Sequence, residues 1–265
     1  MKHLVVGELR LEYRDIPAAR ADQPTLLLLH EGLGCVAMWR DFPLRLAALI
    51  GCRVIAWSRA GYGGSQAYAD QRTPAYMHRE GEQALPALLE ALAIERPILV
   101  GHSDGGSIAL IFGAAFPELP LGIAVMAPHE FVDEVTLAGI RAARHAWETT
   151  DLPQRLARYH GERAAKVFSE WNDTWLAPAF RDWNIEGCLP KIRCPVLAIQ
   201  GEDDEYATLR QVDAIAARVP GAQVLKLARC GHSPQRDQEA AVLSALADFV
   251  TTCVRCDAEF GRGSE

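Results

Sequence analysis

The sequence predicts an α/β protein: a mostly parallel sheet with helices on both faces, interrupted once by an all-helical insertion. Short apolar runs alternate with helical segments and end in glycine-containing turns, the order of strand–helix–strand units. The alternation stops between Pro128 and Gly187 and then resumes. Gly101-His102-Ser103-Asp104-Gly105 lies between an apolar β-type run, Pro97 to Val100, and a helix-like run starting at Gly106. Strand, sharp turn with Ser at its apex, then helix is the setting of a nucleophile elbow. Side chains beside Ser103 would clash with the neighbouring strand and helix, which is the work of the flanking glycines. The helix start behind the turn offers main-chain N–H groups to a developing negative charge.

Each element has its own signal. Leu4 to Tyr13 alternates apolar and polar residues, predicting one half-exposed strand near a sheet edge. Thr25 to His30 is almost continuously apolar, as in a strand buried on both faces. It ends in the turn Glu31-Gly32-Leu33-Gly34. A helix is expected over Trp39 to Ile50, a strand over Arg53 to Trp57, then a glycine loop from Ser58 to Ser65. Pro74 to Ala93 has helical spacing, with a kink or break expected at Pro86. The elbow helix runs to Phe116-Pro117. Gly122 to Ala127 is the next buried strand. After the helical segment come a strand at Pro195 to Gln200, a helix near Thr208 to Val219, a strand at Gln223 to Leu227 and a helix from Gln238 to Cys253. The polar tail from Asp257 is expected to be mobile. The expected organisation is a core of residues 1–127 and 188–265 with a helical insertion at 128–187.

Composition narrows the function classes. With 49% hydrophobic residues in 265, the chain can bury a sizeable core. Asp and Glu number 34 against 27 Lys and Arg, and no basic run stands out, so neither nucleic acid nor an anionic membrane is an expected partner. No apolar stretch has the length of a membrane span, and the N-terminus lacks the pattern of a secretory signal. Seven cysteines form no disulfide framework, which predicts reduced thiols and a cytoplasmic protein. Cys253-Val-Arg-Cys256 has no second pair to make a metal site. His129-Glu130 lacks the second His of a zinc helix, and the glycines at 61, 63 and 64 do not form a dinucleotide fingerprint. No metal and no cofactor is expected. A homodimer is compatible with these observations.

In such a sheet, ligands sit at the carboxyl ends of the strands. Ser103 follows one strand, the acidic turn Gly201-Glu202-Asp203-Asp204 another, and Gly231-His232 the last. A Ser hydroxyl needs a base in hydrogen-bond reach. His232 can take its proton, and a carboxylate can orient the imidazole and stabilise its charged form.

Taken together, the turn His30 to Gly34, the stretch Ser58 to Gly63, the elbow, the acidic turn and Gly231-His232 resemble the cap-bearing α/β-hydrolases of the esterase, lactonase and C–C hydrolase group. The resemblance implies an eight-stranded sheet with an inserted helical cap and makes Ser103 the nucleophile and His232 the base. Asp204, third after the glycine of its turn, matches the family's acid, with Asp203 and Glu130 as alternatives. It implies an oxyanion hole built from the N–H of Asp104 and one from the turn after His30. That second donor is Gly32, or Leu33 in another alignment. Relatives read His-Gly where this chain has His30-Glu31-Gly32, leaving Glu31 as a salt-bridge partner under the site or a substrate-binding carboxylate. The Asp104 side chain either pairs locally, with Arg59, or holds a substrate ammonium as in relatives with Ser-Asp-Gly-Gly. His102 and His30 read as packed structural histidines. Some of Trp147, Trp171, Trp175 and Trp183 are expected to roof an apolar pocket.

The resemblance implies a serine hydrolase acting on a partly apolar small-molecule ester, thioester or lactone. C–C hydrolysis or perhydrolysis on the same residues is the alternative within the class. A ligand-binding receptor with slow or no turnover is the alternative outside it.

Overall fold

The computed structural model describes residues 1–20, 23–70 and 72–261. Eight strands form one sheet in the order β1-β2-β4-β3-β5-β6-β7-β8. They are β1 (Lys2–Val6), β2 (Leu9–Ile16), β3 (Thr25–Leu29), β4 (Arg53–Trp57), β5 (Ile98–His102), β6 (Gly122–Met126), β7 (Val196–Gly201) and β8 (Gln223–Leu227). All neighbouring pairs are parallel except the two made by β2. From β3 the chain steps outward to β4, then returns past β3 to β5 and continues the other way. The strand order therefore reverses between β3 and β5, where open α/β sheets bind their ligands.

The apolar runs explain the burial. In β3, Leu26 and Leu28 face one core with Val100, Ala124 and Phe249, while Leu27 and Leu29 face the other with Leu99, Ile108 and Phe112. Successive strand side chains alternate between faces, so a strand covered on both sides must be apolar throughout. The helices α1 (Phe42–Ile50) and α10 (Glu239–Gly261) cover the first face. The second is covered by α2 (Tyr76–Arg79), α3 (Leu85–Ala91) and α4 (Asp104–Ala115). Between β6 and β7 lie α5 (Glu134–Thr149), α6 (Leu152–His160) and α7 (Ala164–Leu176). After β7 come α8 (Arg210–Arg218) and, beyond β8, the short α9 (Pro234–Asp237).

Four expectations change. The single strand read over Leu4 to Tyr13 is a hairpin: Gly7, at φ 58°, turns the chain, and β1 pairs back on β2. The break expected at Pro86 within Pro74 to Ala93 is present but falls just ahead of it, as a π-helical turn, Glu80–Ala84, since Pro86 has no N–H for the ladder. The all-helical reading of 128–187 misses one antiparallel bridge, Phe131 to Asn184. The last helix passes Cys253 and runs to Gly261, so the tail from Asp257 begins as helix; residues 262–265 of that predicted tail lie outside the described residues. All seven cysteines are free thiols. Among the described residues no helix is long and apolar enough to cross a membrane.

Two contacts between distant segments carry testable energy. Gly105 abuts β3 so closely that a Cβ would lie 2.1 Å from the Leu29 carbonyl oxygen. Gly105→Ala is expected to cost about 3 kcal/mol or more in urea unfolding, because main chain rather than a flexible side chain must yield. Asp15 on β2 accepts from Arg53 Nε at 2.9 Å and Lys2 Nζ at 3.2 Å. The Arg53 hydrogen bonds hold its carboxyl below the ordinary 3.8, against the opposing effect of burial. That stabilisation is present above the ordinary value and is lost as pH falls through the folded one. Asp15→Asn should therefore cost ~1 kcal/mol at pH 7, and the gap to wild type should close below about pH 4. A gap independent of pH would refute this account.

Candidate active site

Ser103 sits between β5 and α4 at φ 52°, ψ −120°, a strained conformation that non-glycine residues rarely hold. It is over-determined by its surroundings. Ser103 N donates to Met126 O at the end of β6, 2.9 Å away. A Cβ on Gly101 would meet Gly105 O at 2.3 Å, so the two glycines let strand and helix close on the turn. The strained turn holds the hydroxyl up at the carboxyl end of the sheet.

His232 follows β8. Its Nε2 lies 2.9 Å from Ser103 Oγ and its Nδ1 is 2.9 Å from both oxygens of Asp204. Asp204, just past β7, also accepts from Tyr206 N at 2.8 Å, Ala207 N at 3.2 Å and the Gln200 side-chain amide. Burial works to raise its carboxyl pKa, but the hydrogen bond and charge of His232, with the Tyr206 N–H, outweigh it and leave it below the usual carboxylate value. With Nδ1–H given to Asp204, Nε2 is left as the acceptor facing the serine. This arrangement can move a proton from Ser103 to His232 while the carboxylate stays ionised.

The other acids are elsewhere. Asp203, Glu202 and Glu205 are exposed, and Glu205 meets only the His232 main chain, at 3.2 Å. Glu130 is wholly buried after β6, with neither carboxyl oxygen partnered by a described residue. Burial first, then nearby Glu186, push its pKa well above the usual value. It does not reach His232.

The cavity that Ser103 lines is also lined by Asp104, Gly32 and Leu33. Asp104 opens α4, so its N–H has no carbonyl one turn back to bond. In the turn after β3, Gly34 N donates to Glu31 O at 3.1 Å, while neither Gly32 nor Leu33 donates its N–H to another described residue. The Asp104 side chain points away from this role. Its Oδ2 accepts from Tyr76 OH at 2.7 Å and lies 3.6 Å from Arg59 NH2, the local pairing the sequence allowed. Its Oδ1 is buried without a partner among the described residues.

The remaining histidines are structural in different ways. His30 Nε2 accepts from Arg59 N at 3.0 Å and Nδ1 donates to Glu31 O at 2.7 Å. Burial, then Arg59, keep its pKa well below normal. His102 Nε2 donates to the His232 carbonyl at 2.7 Å and so ties the elbow to the histidine turn. Glu31 lies 3.5 Å from His102 Nδ1; burial works to raise its carboxyl, but His102 outweighs it and holds it at about 2. Glu31 thus faces His102 under the site, an ion pair when the imidazole carries both protons.

Above Ser103 lies a cavity of about 210 Å³. Its apolar wall includes Leu33, Ile140 and Leu156; Trp171 and Trp175 roof it, while Trp147 and Trp183 do not line it. His129 and Tyr206 also line it, with rings 5.8 and 4.8 Å from that of His232. The sequence reading weighed His129 only as a metal ligand and did not consider Tyr206, although each closely follows a strand's carboxyl end, which was the available signal. No group of three or more His, Cys, Asp or Glu side chains among the described residues converges to hold a metal ion.

Comparison with known proteins agrees with this architecture. Residues 26–245 match the model of the alpha/beta hydrolase family. The human serine hydrolase BPHL is 31% identical over 179 residues, which cover 64% of this chain and 60% of that protein; the match spans less than two thirds of the relative. A 2-hydroxy-6-oxononadienedioate/2-hydroxy-6-oxononatrienedioate hydrolase of Paraburkholderia phymatum is 26% identical over 272 residues, covering 92% of this chain and 91% of that one. Among solved structures, the 2-hydroxy-6-oxo-6-phenylhexa-2,4-dienoate hydrolase of a Rhodococcus strain superposes with a TM-score of 0.81 over 93% of this chain and 96% of its own, at 18% identity, a likeness of fold. With the family model spanning the sheet from β3 to α10, and with its strand order and elbow in place, this chain belongs to the alpha/beta hydrolase family.

Proposed function

We propose that the protein is a serine hydrolase that cleaves a carboxylic ester, thioester or lactone through an acyl-enzyme. The observation that carries the reading is the line Ser103 Oγ, His232, Asp204, with 2.9 Å at each step, on the floor of a largely apolar cavity. His232 takes the hydroxyl proton as Ser103 attacks the carbonyl carbon. Asp204 fixes the imidazole by its Nδ1–H and stabilises the cation that forms. The N–H groups of Asp104 and Gly32 hold the oxyanion. His232 then gives its proton to the leaving group and afterwards activates the water that releases the acid. No group beyond the chain's own is needed for these steps. Residues 128–187 act as the cap over this site, and the cavity they close sets the size of the acyl group.

The charge of the cavity supports ester chemistry over C–C hydrolysis of a dienoate. Two carboxylates, Glu31 and Asp104, stand in its wall and, among the described residues, no Lys or Arg does. Arg59 lies behind Asp104, fully buried. A substrate carrying its own carboxylate, as the hydrolases named for dienoates take, would find no Lys or Arg lining the cavity to pair with it. A neutral, partly apolar acyl group fits it. On p-nitrophenyl esters of equal length, the neutral acyl chain is expected to be favoured over the ω-carboxylated one by at least ~10-fold in kcat/KM; equal rates would overturn the charge argument.

The triad is tested with p-nitrophenyl acetate and a fluorophosphonate probe. Ser103→Ala should lower kcat on the order of 10^4-fold or more and abolish labelling. Asp204→Asn should keep the fold and lower kcat by roughly 10^4-fold, because the imidazole is then held in the wrong tautomer. Absence of both turnover and label in the wild type would instead favour a ligand-binding receptor built on the same scaffold.

A further inference from the structure

Among the tryptophans near the site, the two that roof the cavity use their indole N–H groups differently. Trp175 Nε1 donates to Tyr76 OH at 3.1 Å. Trp171 Nε1 has no acceptor among the described residues, and it lines the cavity that contains Ser103. Trp39, Trp57 and Trp183 also lack acceptors, but none of them faces this cavity.

Where the Trp171 indole rests is informative. A Cβ placed on Gly32 would lie 2.3 Å from Nε1 and 2.4 Å from Cδ1 of Trp171. The N–H edge of the ring, rather than its benzo edge, therefore lies against the main chain of Gly32. That main chain supplies the second oxyanion donor in the reading above. Glycine at 32 permits this approach, since a Cβ there would displace the indole. The indole is held there by packing: Phe168 at 5.9 Å and Tyr206 at 6.4 Å between ring centroids fix it from two sides.

We propose that Trp171 is a further catalytic residue, whose indole N–H donates to the same substrate oxygen that the Gly32 and Asp104 N–H groups hold. The inference rests on the acyl-transfer reading of the site. The indole keeps its proton throughout and only accommodates charge. As the carbonyl oxygen becomes an oxyanion it gains acceptor capacity, and a pre-oriented donor in a site of low polarity strengthens with it. The helical cap would then contribute to rate as well as to pocket shape.

The test uses a probe whose P=O oxygen occupies the oxyanion position once Ser103 is phosphonylated. In ¹⁵N-labelled protein, the indole N–H resonance of Trp171 is assigned by its loss in Trp171→Phe, or by contacts to Gly32 protons if that variant does not fold. On formation of the fluorophosphonate adduct this resonance should move downfield, and further than those of the other five indoles. Trp171→Phe keeps the ring and removes the donor; it should lower kcat/KM by roughly 10- to 100-fold, mainly in kcat. Adduct formation with an unmoved Trp171 resonance, or turnover by Trp171→Phe within about twofold of wild type, would overturn the role. No adduct at all would remove the acyl-enzyme reading itself, and this role with it.

Discussion

The site depends on one strained residue. A non-glycine side chain at φ 52° costs on the order of 1–3 kcal/mol, and Ser103 is kept there by contacts made elsewhere. Met126 O pins its N–H, and Gly101 and Gly105 let β5, α4 and β3 approach within van der Waals contact of one another's main chain. The burial of Leu99, Val100, Ile108 and Phe112 on the two sides of the turn stabilises both elements and so offsets the strain. In return the turn presents a hydroxyl and a free helix N-terminus at the same point. Because α4 starts at Asp104, the residue after Ser103 has an N–H that no carbonyl of its own helix can take.

Around the turn, ionisable groups are arranged so that few charges are left bare. Arg59 offsets Asp104; His30 is neutralised by burial; His102 faces Glu31. Tyr76 joins two of these layers, donating to Asp104 and accepting from Trp175 on α7. His160 adds another tie, donating to Leu33 O at 2.9 Å and accepting from Gly63 N at 3.0 Å. The helical segment is thereby hydrogen-bonded to the turn after β3 and to the glycine loop, which couples its position to the geometry of that turn.

Much of this was legible in the sequence because the signals are local. Doubly buried strands must be apolar throughout, and strand-end residues of a parallel sheet converge, so Ser103 and His232 stood out as candidates at strand ends, while Asp204 came from the family resemblance, with Asp203 and Glu130 as alternatives. What escaped depends on distant partners. Glu12 reads as the solvent side of an alternating strand, yet it accepts from Ser58 Oγ at 2.7 Å and Gly64 N at 2.9 Å and shapes the glycine loop. The hairpin at Gly7 lies where the apolar run Leu4-Val5-Val6 gives way to the alternation from Glu8, and reading one strand across it missed that break. The bridge between Phe131 and Asn184 joins residues 53 positions apart and leaves no periodic trace.

The choice between two acids at adjacent strand ends shows why position alone is not enough. Glu130 follows β6 and Asp204 follows β7, and both are buried. Asp204 receives N–H donors from Gln200, Tyr206, Ala207 and His232. Each donor favours the ionised form, and together they overcome burial. Glu130 receives none from the side chains of other described residues: Gln211 spends its oxygen on Glu130 N at 2.8 Å and its N–H on Phe131 O at 3.1 Å. Burial, with Glu186 adding like charge, favours its uncharged form. What separates two acids at equivalent strand ends is therefore the set of donors around each carboxyl, not position.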